Sequence, residues 1–85
     1  MNSVEKVKTV YLLCSLDLSG TTCYLKSLHS RGNWEIVADI EQATKCGNKK
    51  TAKLLRECYE EDMGYDAKWA IIPCEIEYRL INEIE

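Results

Sequence analysis

The first part of the chain alternates apolar and polar residues with the period of two that is typical of β-strands. Lys6–Leu16 is rich in Val, Thr, Tyr and Leu and predicts a first strand. Asp17–Gly20 carries turn residues, and Thr21–His29 predicts a second strand that forms a hairpin with the first. One face of the first strand is mixed, and the other is wholly apolar and consists of Val10, Leu12, Cys14 and Leu16.

A short third strand is predicted over Trp34–Ala38. Trp34, Ile36 and Ala38 share one side of the alternation, so we expect them on the apolar face. Three strands joined by tight turns predict an antiparallel meander. Such a sheet normally needs other elements to cover its apolar face.

Two helices are predicted to provide this cover. Asp39 is a good N-cap for a short helix over Ile40–Cys46, and Asn48 is a good N-cap for a longer helix over about Lys49–Met63. Each predicted helix is followed by a glycine that can end it, namely Gly47 and Gly64. The apolar arc of the longer helix consists of Ala52, Leu55, Cys58 and Tyr59. We expect this arc to pack on the sheet.

The region Asp66–Ile81 predicts a strand at an edge of the sheet. Its apolar residues shift from odd to even positions at Pro73, and proline cannot donate to a strand ladder. We therefore predict a bulge or a break at Pro73, with a C-terminal helix from Cys74 as the alternative. The solvent-facing row of this strand is predicted to be Glu75, Glu77 and Arg79.

Together these elements predict a single α+β domain over residues 1–85: a small antiparallel β-sheet with one main helix and a short helix packed on one face. The chain is 46% hydrophobic and 29% charged, which is typical of a folded domain. A domain of this size buries a modest share of its surface, so a homodimer is a further prediction. The sequence shows neither a signal peptide nor a membrane span, so we expect a cytoplasmic protein without membrane contact.

Catalytic and metal-binding motifs are not found in the sequence. It has five cysteines with no CxxC spacing, and His29 is its single histidine. A zinc site usually needs close pairs of ligands, and a cysteine nucleophile needs a base. We therefore predict no metal, no cofactor and no enzymatic activity, and we interpret the cysteines as free and mostly buried thiols. A cysteine-dependent enzyme is the alternative that thiol alkylation would test.

Charge is divided along the chain. Residues 1–56 carry nine Lys and Arg and five acids, whereas residues 57–85 carry two bases and nine acids. Many of these acids crowd the end of the longer helix, where they oppose the helix dipole. This acidic group consists of Glu57, Glu60, Glu61, Asp62 and Asp66. We interpret it as a surface for a positively charged partner, with a solvated helix end that tolerates acids as the alternative.

A basic group surrounds the start of the longer helix and supports an alternative function as a small nucleic-acid-binding regulator. Its members are Lys45, Lys49, Lys50, Lys53 and Arg56. Phosphates are bound by residues of this kind. The net charge of −3 weighs against this alternative, so we expect a protein partner before nucleic acid.

Three segments carry a resemblance to a group of known proteins: Tyr24–Lys26, Trp34–Lys45 and Lys50–Ala52. They resemble small uncharacterised proteins encoded by phages and prophages of Gram-positive bacteria, with a hairpin, a Trp-bearing strand and a helix that starts at an aspartate. The resemblance implies a phage accessory role, and phage genes of this size include anti-CRISPR proteins and other inhibitors of host defence. Our leading hypothesis is a non-enzymatic inhibitor of a host nuclease or defence complex that acts through the acidic group in the bacterial cytoplasm.

Overall fold

The computed structural model describes residues 3–28, 33–64 and 68–80 of the chain. Its main elements are strands β1 (Ser3–Leu16), β2 (Thr22–Ser27), β3 (Trp34–Val37) and β4 (Ala70–Leu80), and helix α1 (Lys49–Met63). These strands form one antiparallel sheet in the order β3-β2-β1-β4. The arrangement confirms the predicted α+β class and the meander of the first three strands.

β1 is the longest strand, and it pairs with β4 along almost its whole length. Ser3 pairs with Leu80 and Cys14 pairs with Ala70, with a register shift between residues 4 and 6. The sequence predicted that this strand begins at Lys6. It begins earlier because β4 extends far enough to pair with the additional residues.

The turn between β1 and β2 is the one predicted. The Asp17 carboxylate accepts hydrogen bonds from the Ser19 hydroxyl (2.6 Å) and from the backbone N–H groups of Ser19 (2.9 Å) and Thr21 (2.9 Å). The Ser19 side-chain bond, and after it the bond from Thr21, lowers the pKa of Asp17. Gly20 has a φ of +85°, which residues with a Cβ adopt only with strain. His29, predicted to end the second strand, lies outside the described residues.

The prediction of a helix over Ile40–Cys46 is wrong. Ile40–Gln42 forms a single 3₁₀ turn, which Asp39 caps as predicted by accepting a bond of 2.9 Å from the Glu41 N–H. At Ala43 the chain becomes extended, with φ −62° and ψ 143°. A further helical turn would require a helical ψ at this residue.

The chain after the 3₁₀ turn becomes extended because its backbone groups bond to the sheet. Thr44 donates its N–H to the Leu25 carbonyl (3.1 Å), and its hydroxyl accepts a bond from the Ser27 N–H (2.7 Å). Cys46 and Tyr11 exchange two backbone hydrogen bonds of 2.8 and 3.0 Å. The segment thus satisfies backbone groups that would stay unpaired where β2 diverges from β1.

The sheet is apolar on both faces. On the face against α1, here called the helix face, a buried cluster consists of Leu13, Cys23, Leu25, Tyr59 and Trp69. On the opposite face, here called the open face, Val10, Leu12 and Ala43 form a second cluster. The wholly apolar side of β1 is therefore not the side that α1 covers, contrary to our expectation. The 3₁₀ turn and α1 also lie on opposite faces rather than on one, because Ala43 packs on the open face.

β4 is an edge strand, as predicted, but it is continuous over Ala70–Leu80. The predicted bulge or break at Pro73 and the alternative helix from Cys74 are therefore wrong. Tyr11, which is opposite Pro73, directs its own backbone groups to Cys46 on the side away from β4. By the alternation of an antiparallel ladder, Pro73 points its backbone away from β1, so its missing N–H breaks no ladder bond. The shift from odd to even apolar positions needs no bulge either, since both faces are apolar.

β3 is shorter than predicted and differs from expectation in which residue is buried. Ile36, expected on the apolar face, is 57% exposed, whereas Val37 is 7% exposed. Val37 pairs with Tyr24, a residue of the open-face cluster. Because β3 is the outermost strand among the described residues, no strand of this part of the chain lies on the other side of Ile36.

α1 has the predicted bounds and caps. The Asn48 side chain accepts a hydrogen bond of 2.8 Å from a first-turn backbone N–H, and Gly64 ends the helix with a φ of +91°. Ala52 and Tyr59 are buried against the sheet as expected. Cys58, which was placed on the same apolar arc, is exposed.

Candidate functional site: the acidic end of the helix

The C-terminal half of α1 carries four carboxylates, here called the acidic surface: Glu57, Glu60, Glu61 and Asp62. Glu60 is half-buried and the other three are exposed. Within the described residues, none of the four forms an ion pair; the salt bridge found there joins Arg79 to Glu77 at 2.6 Å. Asp66, the fifth predicted member, lies outside the described residues.

Three aromatic rings fix the acidic surface relative to the sheet. Trp34 and Trp69 contact Tyr59 edge to face, at ring-centroid distances of 5.3 and 5.6 Å. The Trp34 indole N–H donates to the Asp62 carboxylate at 2.9 Å, and the Arg56 guanidinium donates to the Trp69 carbonyl at 3.2 Å. Both sides of the helix are therefore anchored, and the Asp62 carboxylate is held in place before any partner arrives.

The charges of α1 run against its macrodipole at both ends. Its first turn contains no acid and its last turn contains no base. Each lysine in the first turn and each acid in the last turn costs about 0.3–1 kcal/mol of helix stability when its charge is poorly screened. The stability of the helix therefore does not account for this distribution of charge.

The structure divides the predicted basic group. Lys45 donates to the carbonyl oxygens of Glu41 (2.8 Å) and Ala43 (3.2 Å), and Arg56 is bound to Trp69. The exposed members along α1 are Lys49, Lys50 and Lys53. The bonds of Lys45 and Arg56 are to neutral oxygens, so they fix the positions of both side chains without neutralising either charge.

The open face of the sheet carries an apolar groove of about 810 Å³. Leu12 lies at its base, and Leu16, Ile40 and Ile72 line it while remaining 66%, 43% and 43% exposed. Exposed apolar surface of this kind often marks a contact site. The alternating apolar residues of β1 were visible in the sequence, but we had assigned them to the core under α1.

The five cysteines are all free thiols. Cys23 and Cys46 are buried, Cys14 and Cys74 are half-buried, and Cys58 is exposed. Burial raises the pKa of the Cys14, Cys23 and Cys46 thiols. These three therefore stay protonated and poorly nucleophilic at neutral pH. The thiols are free as predicted, but two of the five are fully buried, fewer than the prediction of mostly buried thiols required.

No group of three or more His, Cys, Asp or Glu in residues 3–28, 33–64 and 68–80 could hold a metal ion. In these same segments, no helix has the length and apolarity needed to cross a membrane. No family model matches the chain, and no curated protein or solved structure matches it.

The aromatic residues that anchor the acidic surface were not found from the sequence. Trp34 and Asp62 are 28 positions apart, and nothing in the local pattern links them. The carboxylates themselves were found, because a run of acids at a helix end is visible in the sequence. What the fold adds is the hydrogen bond that holds Asp62 and the ring contacts that hold the helix on the sheet.

Proposed function

We propose that this protein is a non-enzymatic binding protein that presents its acidic surface to a basic site on a partner protein. Rows of carboxylates can occupy a groove that otherwise binds nucleic-acid phosphates, because both carry closely spaced negative charge. The resemblance to phage and prophage proteins supports a host nuclease or defence complex as the partner. The activity would then be anti-CRISPR-like inhibition in the bacterial cytoplasm.

The proposal rests on one observation: four carboxylates crowd the C-terminal half of α1, where they lower the stability of the helix, and none of them forms an ion pair within the described residues. Asp62 accepts its hydrogen bond from the neutral Trp34 indole, so its negative charge is retained. Fixed, uncompensated charge accelerates association with a partner of opposite charge. The basic group offers weaker support for nucleic-acid binding, since the chain carries a net charge of −3.

Capture from a nuclease-treated lysate of a Gram-positive bacterium, with the tagged full chain as bait, tests the proposal. The test variant is E57K/E60K/E61K, which reverses the acidic surface and leaves the Trp34–Asp62 bond in place. The matched control is E35K/E41K/E75K, which changes the net charge equally at exposed glutamates elsewhere. Far-ultraviolet circular dichroism establishes that both variants are folded.

We expect the wild type and the control to retain a stoichiometric protein that is released at high salt. The test variant should associate with that purified protein at least about tenfold more slowly at low ionic strength. Equal association of the test variant and the wild type would refute the acidic-surface proposal. Nucleic acid that is retained before nuclease treatment and lost after it would favour the regulator instead.

A further inference from the structure

β4 presents an unpaired outer edge. Tyr11 directs its backbone groups to Cys46, so the positions of β1 on either side of it bond to β4. Alternate residues of β4 consequently direct their backbone groups outward, and these are Ile71, Pro73, Glu75, Glu77 and Arg79. No described strand lies beyond β4, so these groups can pair with a strand of another molecule.

The C-terminal part of β4 is complementary to itself. Residues 76–80 have the sequence Ile-Glu-Tyr-Arg-Leu. When two antiparallel copies are related by a twofold axis at Tyr78, Glu77 of each copy lies opposite Arg79 of the other. The two Tyr78 residues then lie opposite each other at the centre. Acid faces base on both sides of them, which is a pairing that stabilises adjacent strands.

We infer that this protein forms a symmetric dimer in which the outer edges of β4 from two copies pair around Tyr78. The residues that would make the contact are accessible, since Tyr78 is 49% exposed and the side chains of Arg79 and Glu77 are 50% and 46% exposed. Arg79 and Glu77 already form an ion pair of 2.6 Å within one copy. Across the axis, two such pairs form a ring of four alternating charges.

The outward backbone groups fit the same register. Glu77 and Arg79 are both among the residues that direct N–H and C=O away from β1. In the dimer, each Glu77 exchanges two backbone hydrogen bonds with Arg79 of the second copy. The new ladder therefore joins the two sheets into one of eight strands, with the two open faces on the same side.

The neighbouring registers are less favourable. An axis at Glu77 would place the two Glu77 carboxylates directly opposite each other. An axis at Ile76 would place Glu75 opposite Glu77, and it would place Pro73, which has no N–H, opposite Arg79. The charge pattern therefore selects Tyr78 as the centre and a second copy of this chain as the partner.

Exchange of charge between two positions tests this register. E77R places cations opposite each other across the axis, and R79E places anions opposite each other. Each single variant should remain monomeric in sedimentation velocity at concentrations where the wild type is a dimer. The double variant E77R/R79E should dimerise again, as should an equimolar mixture of the two single variants, because acid again faces base in both.

The wild-type dimer is expected to be reversible, because a contact of one strand edge falls below the ~1,200 Å² of a standard stable interface. Sedimentation is therefore followed from low micromolar to several hundred micromolar protein. Hydrogen exchange at the Glu77 and Arg79 amides should slow as the fraction of dimer rises with protein concentration. E35R, on the opposite edge strand, is the matched control and should dimerise like the wild type.

Three results would each overturn the inference. The wild type could be monomeric over the whole concentration range, or the single variants could dimerise normally. The third is a loss of dimerisation in the single variants that neither the double variant nor the mixture restores. Circular dichroism and urea unfolding of every variant separate loss of pairing from loss of fold. The acidic-surface variant E57K/E60K/E61K should still dimerise. A protein that does not dimerise is thus distinguished from one whose acidic surface does not bind a partner.

Discussion

Tyr59 offers the strictest test of how α1 is attached to the sheet. Its side chain is 6% exposed and lies between Trp34 and Trp69, in two edge-to-face contacts with interplanar angles of 89° and 77°. Each contact of this geometry contributes about 0.5–1.5 kcal/mol beyond the burial of area. Replacement by leucine removes both contacts and leaves unfilled volume beside the two indole rings.

The expected cost of Tyr59→Leu is the sum of these effects. Two aromatic contacts account for about 1–3 kcal/mol, and incomplete collapse of the remaining space adds roughly 1 kcal/mol. A protein of this length has a total stability of roughly 4–13 kcal/mol. The variant should therefore fold but lose a large share of its stability, with Tm lower by about 4–8 °C for each kcal/mol.

Urea unfolding followed by tryptophan fluorescence and circular dichroism measures the loss. The midpoint should fall while the m-value stays constant, which indicates a change in stability rather than in the surface exposed. Tyr59→Phe is the control, because the hydroxyl forms no hydrogen bond within the described part of the chain, and it should stay within about 0.5 kcal/mol of the wild type. If Phe cost as much as Leu, or if Leu cost less than about 1 kcal/mol, the ring contacts would not be the source of stability.

Other predictions concern the acidic surface, the thiols and the first turn. Trp34→Phe removes the indole N–H that binds Asp62 and shortens the ring that contacts Tyr59, so the free energy of unfolding should fall by more than the ~0.5–1.5 kcal/mol of the hydrogen bond alone, and an unchanged value would contradict both contacts. Glu61→Lys should raise Tm at low salt, because it places a cation near the C-terminal end of the helix dipole, and an unchanged Tm would contradict that account. Cys58 should react first with iodoacetamide under native conditions, as resolved by peptide mass spectrometry; early labelling of any other thiol would contradict the burial described. The Ser19 bond lowers the pKa of Asp17 in the folded protein. The ionised Asp17 therefore stabilises the fold above the ordinary carboxyl pKa, and this stabilisation is lost as the pH falls through the lowered pKa. Asp17→Asn should reduce the fall in the free energy of unfolding at acid pH, as measured by urea unfolding at several pH values. An unchanged fall would show that other groups cause it.

Features set by adjacent residues were predictable from the sequence. Asp17 and Gly20 define a turn because their side chain, or the lack of one, determines the local backbone. Asn48 and Gly64 bound α1 for the same reason, since a cap bonds to residues within one turn of itself. These elements have the predicted positions in the fold.

Features that depend on distant backbone partners were not predictable. The residues after Gln42 could have continued a helix. Instead, their backbone groups form hydrogen bonds with the backbone of Leu25 and Tyr11. Pro73 suggested a break because its sequence neighbours do not reveal which way its backbone points. That direction depends on the pairing of Tyr11 with Cys46.

The same limit applies to the candidate site. Glu57, Glu61 and their neighbours were evident as a run of acids, whereas the bond from Trp34 to Asp62 depends on the return of β3 beside the helix. The assignment of the wholly apolar side of β1 to the core failed for a further reason. The alternation in β1 marked Val10 and Leu12 as the apolar side, but α1 packs on Leu13 of the mixed side, and periodicity within a strand does not show which face a helix will cover.

The long ladder between β1 and β4 has a consequence for how the chain folds. Ser3 pairs with Leu80, so the central strand receives its most extensive partner only after residue 80 has been synthesised. Contacts between segments so distant in sequence are typical of slow-folding proteins. Until β4 docks, the edge of β1 stays open to pairing with other chains, which is a route to aggregation. We therefore expect soluble yield to depend on growth temperature and synthesis rate more strongly than the stability of the finished fold alone would predict.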